Sequence, residues 1–525
     1  MNIPETFNAA TYFVDRHVHE GRGAKVAVEC GDECITYEQV LERVNRAGSY
    51  LRDELDVRPE ERVMLLLLDG PEFICSFFGA MKIGAVPIPT STMWKPADYE
   101  YVLKDSGARV LIVSDALLPQ VRAVPRERLR RLREIIVVGG GAGGISGGRS
   151  FEELLTQGCG ELEAEPTSKD APAFWLYSSG STGFPKGCVH LHHDMVVCAE
   201  LYAEGVLGIS SSDRCFSVAK LFFAYGLGNA LYFPFAVGAT AILWPGAPAP
   251  QYVYAVIEKH RPTLFFSVPT NFGMLLAHQR EGRDFDLSSV RYAVSAGEAL
   301  PAALFERFRS RFGVEILDGI GSTEILHIFI SNRAGAIRPG SSGLLVPGYE
   351  AKLLDEDGRP VPRGEIGNLF VLGDSTCAFY WNKHNKTKDT IDGHWIRTGD
   401  KYHQDQDGFF WYAGRSDDML KVGGIWVSPV EVENVLVEHP SVLECGVGAR
   451  QDRDELTKPL AYVVLRQGIR GTPELALELQ QFVRDRLAEY KRPHWIEFLP
   501  ELPKTATGKI QRYKLREMAR TRQVV

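Results

Sequence analysis

A chain of 525 residues with 45% hydrophobic, 10% aromatic and 24% charged residues has the composition of a globular protein, which excludes a disordered or fibrous chain. Its 59 basic and 67 acidic side chains leave a net charge of −8, with none of the basic excess of a general nucleic-acid binder. The nine cysteines are odd in number, scattered and without a CxxC pair, as in a reduced cytoplasmic chain.

The opening MNIPETFNAATYFVDRHVHE holds neither a basic head nor an apolar run, and TRQVV at the end matches no anchor signal, so a cytoplasmic location is expected. Next, RVMLLLLD, PEFICSFFGAMKIG and AVPIP read as strand, helix, strand, the rhythm of a parallel α/β sheet. The alternation recurs at RVLIVSD, REIIVVGG, ATAILWP with QYVYAVIEKH, and PTLFFSVP with the segment after it. From Leu221 to Ile257 no Asp, Glu, Lys, Arg or His occurs, but Pro234, Pro245, Pro248 and Pro250 break the run, so buried core beside an apolar pocket is expected rather than a membrane span. After about Val346 the turn pairs Asp357-Gly358, Arg363-Gly364 and Asp407-Gly408 predict antiparallel hairpins. Beyond Arg415, helices near Pro429 to Glu438 and Pro473 to Ala488 alternate with VLECGVGA and KPLAYVVL. The expected fold class is α/β: a large N-terminal domain (1–416) with α/β sheets and an antiparallel β subdomain, plus a small α+β C-terminal domain (417–525).

Three patterns are decoys. REIIVVGGGAGG matches a dinucleotide fingerprint through Gly139, Gly141 and Gly144, but GISGGR follows where the pyrophosphate-binding helix must open, and Ser150 with Glu153 form a capping-box pattern for a later helix. Cys188, His190, His192, His193 and Cys198 crowd together without zinc-ligand spacing and read as a strand and helix start. Asp405 to Gly408 lacks the distal glutamate of a calcium loop and reads as a hairpin turn.

The informative string is YSSGSTGFPKG, Tyr177 to Gly187. Ser178, Ser179, Gly180, Ser181, Thr182 and Gly183 leave backbone N–H groups and hydroxyls free to converge on phosphate oxygens, and Lys186 adds a point charge. It is not a GxxxxGK[ST] loop, because the glycine spacing differs and Gly187 replaces the magnesium-binding hydroxyl. The string resembles the signature of the adenylate-forming superfamily of acyl- and aryl-CoA ligases, adenylation domains and firefly-type luciferases. Further blocks resemble that superfamily in order and spacing along nearly the whole chain.

The resemblance implies roles residue by residue. SAGEAL, with Gly297, Glu298 and Ala299, is similar to the segment that packs on adenine; DGIGSTE carries Asp318, Gly319 and Ile320, then Thr323 on phosphate and Glu324 on magnesium. Asp400 of RTGD would grip the ribose hydroxyls, with Arg415 of GRSDDMLKVGG beside it and Asp417 as the hinge. Lys509 of PKTATGK would be the lysine of a mobile C-terminal domain, and Gly423 and Gly424 would line a pantetheine tunnel. The implied reactants are ATP, coenzyme A and a carboxylic acid, with Mg2+: the carboxylate attacks the α-phosphorus, pyrophosphate leaves, and a thiol then attacks the acyl-adenylate. Magnesium, backbone donors and a cation meet the charge gathered at phosphorus.

KLFFAYGLGNALYFP and GSTEILHIFISN are apolar and aromatic where the acid should lie, and with DDMLKVGGIWVSP they look most like the benzoate-CoA ligase branch. There the counterparts of Ala224, Tyr225, Gly321, His327 and Ile328 surround the ring and that of Lys421 lies near the carboxylate. One of Phe222, Phe223 and Tyr225 is expected in the core instead. The absence of acidic residues between Leu221 and Ile257 weighs against an amino-acid substrate. A 2-aminobenzoate or hydroxybenzoate ligase, an enzyme loading a separate carrier protein, and a nucleotide sensor stay open, as does the oligomeric state.

Overall fold

A computed structural model describes residues 2–140, 148–178, 185–416, 418–422, 425–452, 456–504 and 510–521. Of the sites expected from sequence, Ser179, Gly180, Ser181, Thr182, Gly183, Asp417, Gly423, Gly424 and Lys509 lie outside the described residues, as does the side chain of Lys421.

The first α/β layer is a five-stranded sheet in the order Val86–Pro89, Arg62–Leu66, Val110–Ser114, Glu134–Val138, Arg149–Ser150, parallel throughout. The expected strand, helix, strand unit forms here, with Arg62 opposite Val86 and helix Pro71–Lys82 between. That helix is apolar on nearly every face and is buried accordingly. Residues 141–147 of the glycine-rich segment lie outside the described residues; among the described ones the next helix begins at Phe151, past the strand Arg149–Ser150. The capping box expected there does not close. Ser150 accepts from the Glu152 amide at 3.1 Å, whereas the Glu153 carboxylate turns to the distant Tyr50 at 3.2 Å and to Arg149, four residues back, at 3.5 Å.

The second layer is a nine-stranded sheet. Strands Ile316–Gly321, Tyr292–Ser295, Leu264–Ser267, Arg214–Ser217, Thr240–Leu243 and Val26–Cys30 run parallel, and antiparallel strands close both ends. In open α/β sheets ligands bind beyond the carboxyl ends of the strands. Those ends deliver the 218–225, 268–271, 296–299 and 322–328 segments to one side, so topology gathers the blocks that sequence leaves scattered. The uncharged stretch becomes helix Ala224–Leu227, a wider π-type turn Gly228–Tyr232, helix Phe233–Val237 and strand Thr240–Leu243. Phe222 is buried, while Phe223 and Tyr225 are only partly so. Among the described residues no helix is long and apolar enough to cross a membrane.

An antiparallel sheet follows, with Glu350–Leu354, Gly367–Leu372, Trp395–Gln404 and Phe410–Arg415 paired in turn. The Asp405 carboxylate closes its last hairpin by accepting from the Asp407 and Phe409 amides at 3.0 and 2.9 Å, the turn role expected for this segment. The C-terminal unit packs helices Pro429–Glu438 and Pro473–Arg484 on strands Val442–Gln451, Thr457–Leu465 and Trp495–Phe498. The second helix stops four positions before the expected Ala488: the Arg486 amide bonds back only three residues, to Val483, and Ala488 leaves helical geometry at φ −59° and ψ 144°.

Candidate functional site

The strands Pro172–Ser178 and Lys186–Leu191 pair antiparallel, with Ser178 opposite Lys186, on either side of the segment expected to bind phosphate. Tyr177 anchors one strand by donating to the Asp105 carboxylate at 2.9 Å. Phe379–Tyr380 adds a third strand with Tyr380 opposite Cys188, and its hydroxyl donates to Glu324 Oε1 at 2.6 Å. The Lys186 ammonium lies 5.0 Å from the centre of the same ring. Burial pushes that ammonium below its ordinary pKa, and the Glu324 carboxylate opposes the shift.

Glu324 sits in a single helical turn, Thr323–Ile325, held from two directions. The Cys377 amide donates to the Glu324 carbonyl at 2.7 Å. His190 Nε2 bonds the Thr323 carbonyl at 2.7 Å and its Nδ1 bonds the buried Asp194 carboxylate at 2.7 Å. Two residues on, buried Leu326 takes φ 71° and ψ −43°, close to a γ-turn, a conformation that costs a side-chain-bearing residue about 1–3 kcal/mol. This bend turns the chain from Glu324 towards His327.

Asp318 is buried at the end of its strand, and burial holds its carboxyl well above the ordinary range against the Ser295 hydroxyl and the Leu300 and Gly319 amides. Gly319 and Ile320 continue that strand, and Gly321 pairs with Ile328. In the adjoining SAGEAL turn, before Ala299, Gly297 has φ 89° and Glu298 accepts from the Thr270 hydroxyl at 2.8 Å. Asp400 and Arg415 face each other across the last hairpin, the guanidinium donating to Asp400 Oδ1 at 3.0 Å and to the Thr398 carbonyl at 3.2 Å. Burial raises the Asp400 carboxyl, Arg415 opposes this, and the Glu324 charge adds to the rise. Gly399 makes the arrangement fit: at φ 78°, a Cβ there would meet Arg415 Nη2 at 2.9 Å.

The expected acid-pocket residues also converge. His327 Nε2 lies 3.3 Å from the Tyr225 carbonyl and 3.1 Å from Asn229 Oδ1, and its ring packs 5.6 Å from Tyr225, 4.4 Å from Phe233 and 5.5 Å from Tyr202. Ala224 precedes Tyr225 at the helix start, and Ile328 follows His327 in a buried strand. Tyr225 is tethered by its hydroxyl to the Ser267 and Val294 carbonyls at 3.2 and 3.1 Å. Burial pushes the His327 imidazole down to about 3, so it is neutral, and Nδ1 is buried with no partner among the described residues. Gly228 in the π-type turn gives the ring its room, since a Cβ there would lie 2.4 Å from His327 Cδ2.

Sequence reasoning missed Tyr380, His190, Asp194 and Asn229. Their roles follow from register and packing, and only the aromatic string around Tyr380, beside a lysine-rich segment, gave any local signal. No cluster of three His, Cys, Asp or Glu suited to a metal occurs among the described residues. A single carboxylate at Glu324 fits Mg2+, which keeps most of its waters and takes its remaining ligands from substrate phosphates.

Residues 14–381 match the family described as AMP-binding enzyme, and residues 431–509 match the AMP-binding enzyme C-terminal domain. The chain belongs to this adenylate-forming family, in its benzoate-CoA ligase branch. It is 48% identical to a benzoate–CoA ligase of Thauera aromatica, over 98% of this chain and 97% of that protein. Identity is 42% to a 4-hydroxybenzoate–CoA/benzoate–CoA ligase of Rhodopseudomonas palustris, over 98% of this chain and 94% of that one. The solved structure of the anthranilate CoA ligase AuaEII with anthranoyl-AMP superposes with a TM-score of 0.94 at 45% identity, covering 100% of this chain and 99% of the other.

Proposed function

We propose that this protein is an ATP-dependent aryl-acid:CoA ligase of the benzoate type, forming an aryl-adenylate and pyrophosphate, then the aryl-CoA thioester and AMP. The observation that carries this reading is the join at Leu326, which runs the Glu324 turn directly into the aromatic-walled pocket of Tyr225, His327 and Ile328. An acid seated against those rings would have its carboxylate beside the phosphate-binding groups, which replaces a bimolecular encounter by positioning.

Lys186 and the loop from Ser178 to Gly183 bind phosphate oxygens, Asp400 and Arg415 take the ribose, and Gly297 to Ala299 with Asp318 to Ile320 border the adenine. Thr323 contacts the α-phosphate and Glu324 is the protein ligand of Mg2+, which neutralises phosphate charge when bound. Lys421 lies at the acid carboxylate, and Lys509 on the 417–525 domain supplies the cation for adenylation. That domain turns at Asp417 before thiol attack, exposing the Gly423 and Gly424 backbone to pantetheine. The nine unpaired cysteines fit a reducing, cytoplasmic setting.

A second reading, an acid bearing a ring amino or hydroxyl group, is supported by His327. With Nε2 committed as a donor to carbonyl oxygens, its bare Nδ1 is an acceptor that such a substituent would satisfy. Exchange of labelled pyrophosphate into ATP, run with benzoate, 2-aminobenzoate, hydroxybenzoates and alkyl acids, tests both readings. Exchange should depend on an aryl acid. Alkyl acids as equal substrates would overturn the first reading, and no gain from a donor substituent would overturn the second.

A further inference from the structure

Tyr380 has two faces. Its hydroxyl reaches Glu324, and its other side joins Phe379, Asn382, Lys383, His384 and Thr387 in lining an open groove of about 450 Å3. The groove wall is well held. The Tyr380 amide donates to Thr387 Oγ1 at 3.0 Å, Trp381 stacks on Trp175 at 4.8 Å and donates to the Asp105 carbonyl at 2.8 Å, and Asn382 turns the chain at φ 54°.

The segment 383–389, KHNKTKD, carries three lysines and one aspartate. Among the described residues none of the ion pairs takes Lys383, Lys386 or Lys388, and the Lys383 ammonium rests 5.7 Å from the Tyr101 ring. Lys386 is near enough to Lys186 for its charge to help depress that ammonium's pKa, after burial and against the pull of Glu324. Lys186, beside Glu324, is thus followed past Tyr380 by Lys386 and Lys383, cations that no ion pair among the described residues takes, the electrostatic requirement for a polyanion.

We propose that Lys383, which lines the groove behind Tyr380, and Lys386, on the helix His384–Thr390 beside it, form a receiving site for the pyrophosphate end of ATP and for the pyrophosphate released from it. This rests on the ligase reading above. Bond cleavage at the α-phosphorus leaves the most highly charged fragment of the reaction beside Glu324 and Lys186, and the groove offers it a cationic way out. It follows that the site acts on adenylation and its reversal and has no part in attack by the thiol.

Binding of magnesium pyrophosphate to the full-length protein, measured by titration calorimetry without acid or CoA, tests the site independently of turnover. Lys386→Glu and Lys383→Glu should each weaken binding about 5–10-fold at low salt, and the effect should shrink as 1 M salt shortens the screening length to about 3 Å. Lys388→Glu, the same charge change at a lysine that neither lines the groove nor is among the charges acting on Lys186, should alter binding by less than about twofold. In the exchange assay the KM for pyrophosphate should rise in step, while thioester formation from supplied aryl-adenylate keeps its KM for CoA. Unchanged pyrophosphate binding in both groove variants would overturn the proposal. So would a rise confined to the KM for CoA, which would assign the lysines to the phosphates of CoA. Wild-type pyrophosphate binding that weakens in the variants, with no aryl-acid-dependent exchange, would count against the ligase reading alone.

Discussion

The hydrogen bond from Tyr380 to Glu324, at 2.6 Å, is charge-assisted, a class worth about 1.5–3 kcal/mol. Tyr380→Phe keeps the ring beside Lys186 and frees the carboxylate, so kcat for adenylation should fall roughly 10-fold with a smaller change in the KM for the aryl acid. Steady-state pyrophosphate release, alongside the unfolding midpoint, separates this from a stability defect. An unaltered kcat would show that Glu324 needs no such anchor. His327 makes a pH prediction. The fold holds its imidazole neutral down to about 3, whereas the unfolded chain takes up that proton near 6.5. Between those values the unfolded state binds more protons, so stability falls as pH drops, by at most about 1.4 kcal/mol per pH unit from this group. Denaturant titrations of wild type and His327→Phe should therefore converge or cross as pH falls from 6.5 towards 4, and parallel curves would contradict a buried neutral histidine. At this scale the strings that carry Glu324, Asp400 and Arg415 could be picked out locally, and their charges act on one another in the fold. Tyr380 and His190 could not be, since each acts across more than 50 positions of sequence.

Among the elements, the π-type turn Gly228–Tyr232 matters most, because it opens the helix where the His327 ring must pass. Gly228→Ala forces a methyl group into that ring, and overpacking of this kind costs about 1–3 kcal/mol. The predicted result is a lowered unfolding midpoint together with a changed ranking of aryl acids, by up to roughly 10–200-fold, at constant KM for ATP. A variant that loses stability and leaves acid preference untouched would make the turn purely structural. Strands and hairpins were readable from apolar runs and turn pairs, as Arg62–Leu66 and the Asp405 hairpin illustrate. The Ser150 capping box failed because Glu153 found Tyr50, a partner that lies outside local sequence, and with it Arg149. The π-type turn itself left no sequence signature beyond Gly226 and Gly228.

For the whole molecule, the carboxyl ends of the parallel strands are what bring the scattered blocks to one place, an arrangement that alternating strand and helix patterns imply only in outline. Strand order was not legible: the edge pair Val26–Cys30 and Glu33–Thr36 closes a sheet whose other strands begin at Arg214, and no local pattern announces so distant a partner. The central claim is that this assembly couples an aryl acid to CoA through an adenylate. Its most direct test is product stoichiometry with benzoate, ATP and CoA, following benzoyl-CoA, AMP and pyrophosphate together. The account predicts one of each per turnover, with pyrophosphate formed in a first burst even when CoA is withheld. Formation of ADP and phosphate, or pyrophosphate release that is independent of the aryl acid, would contradict it.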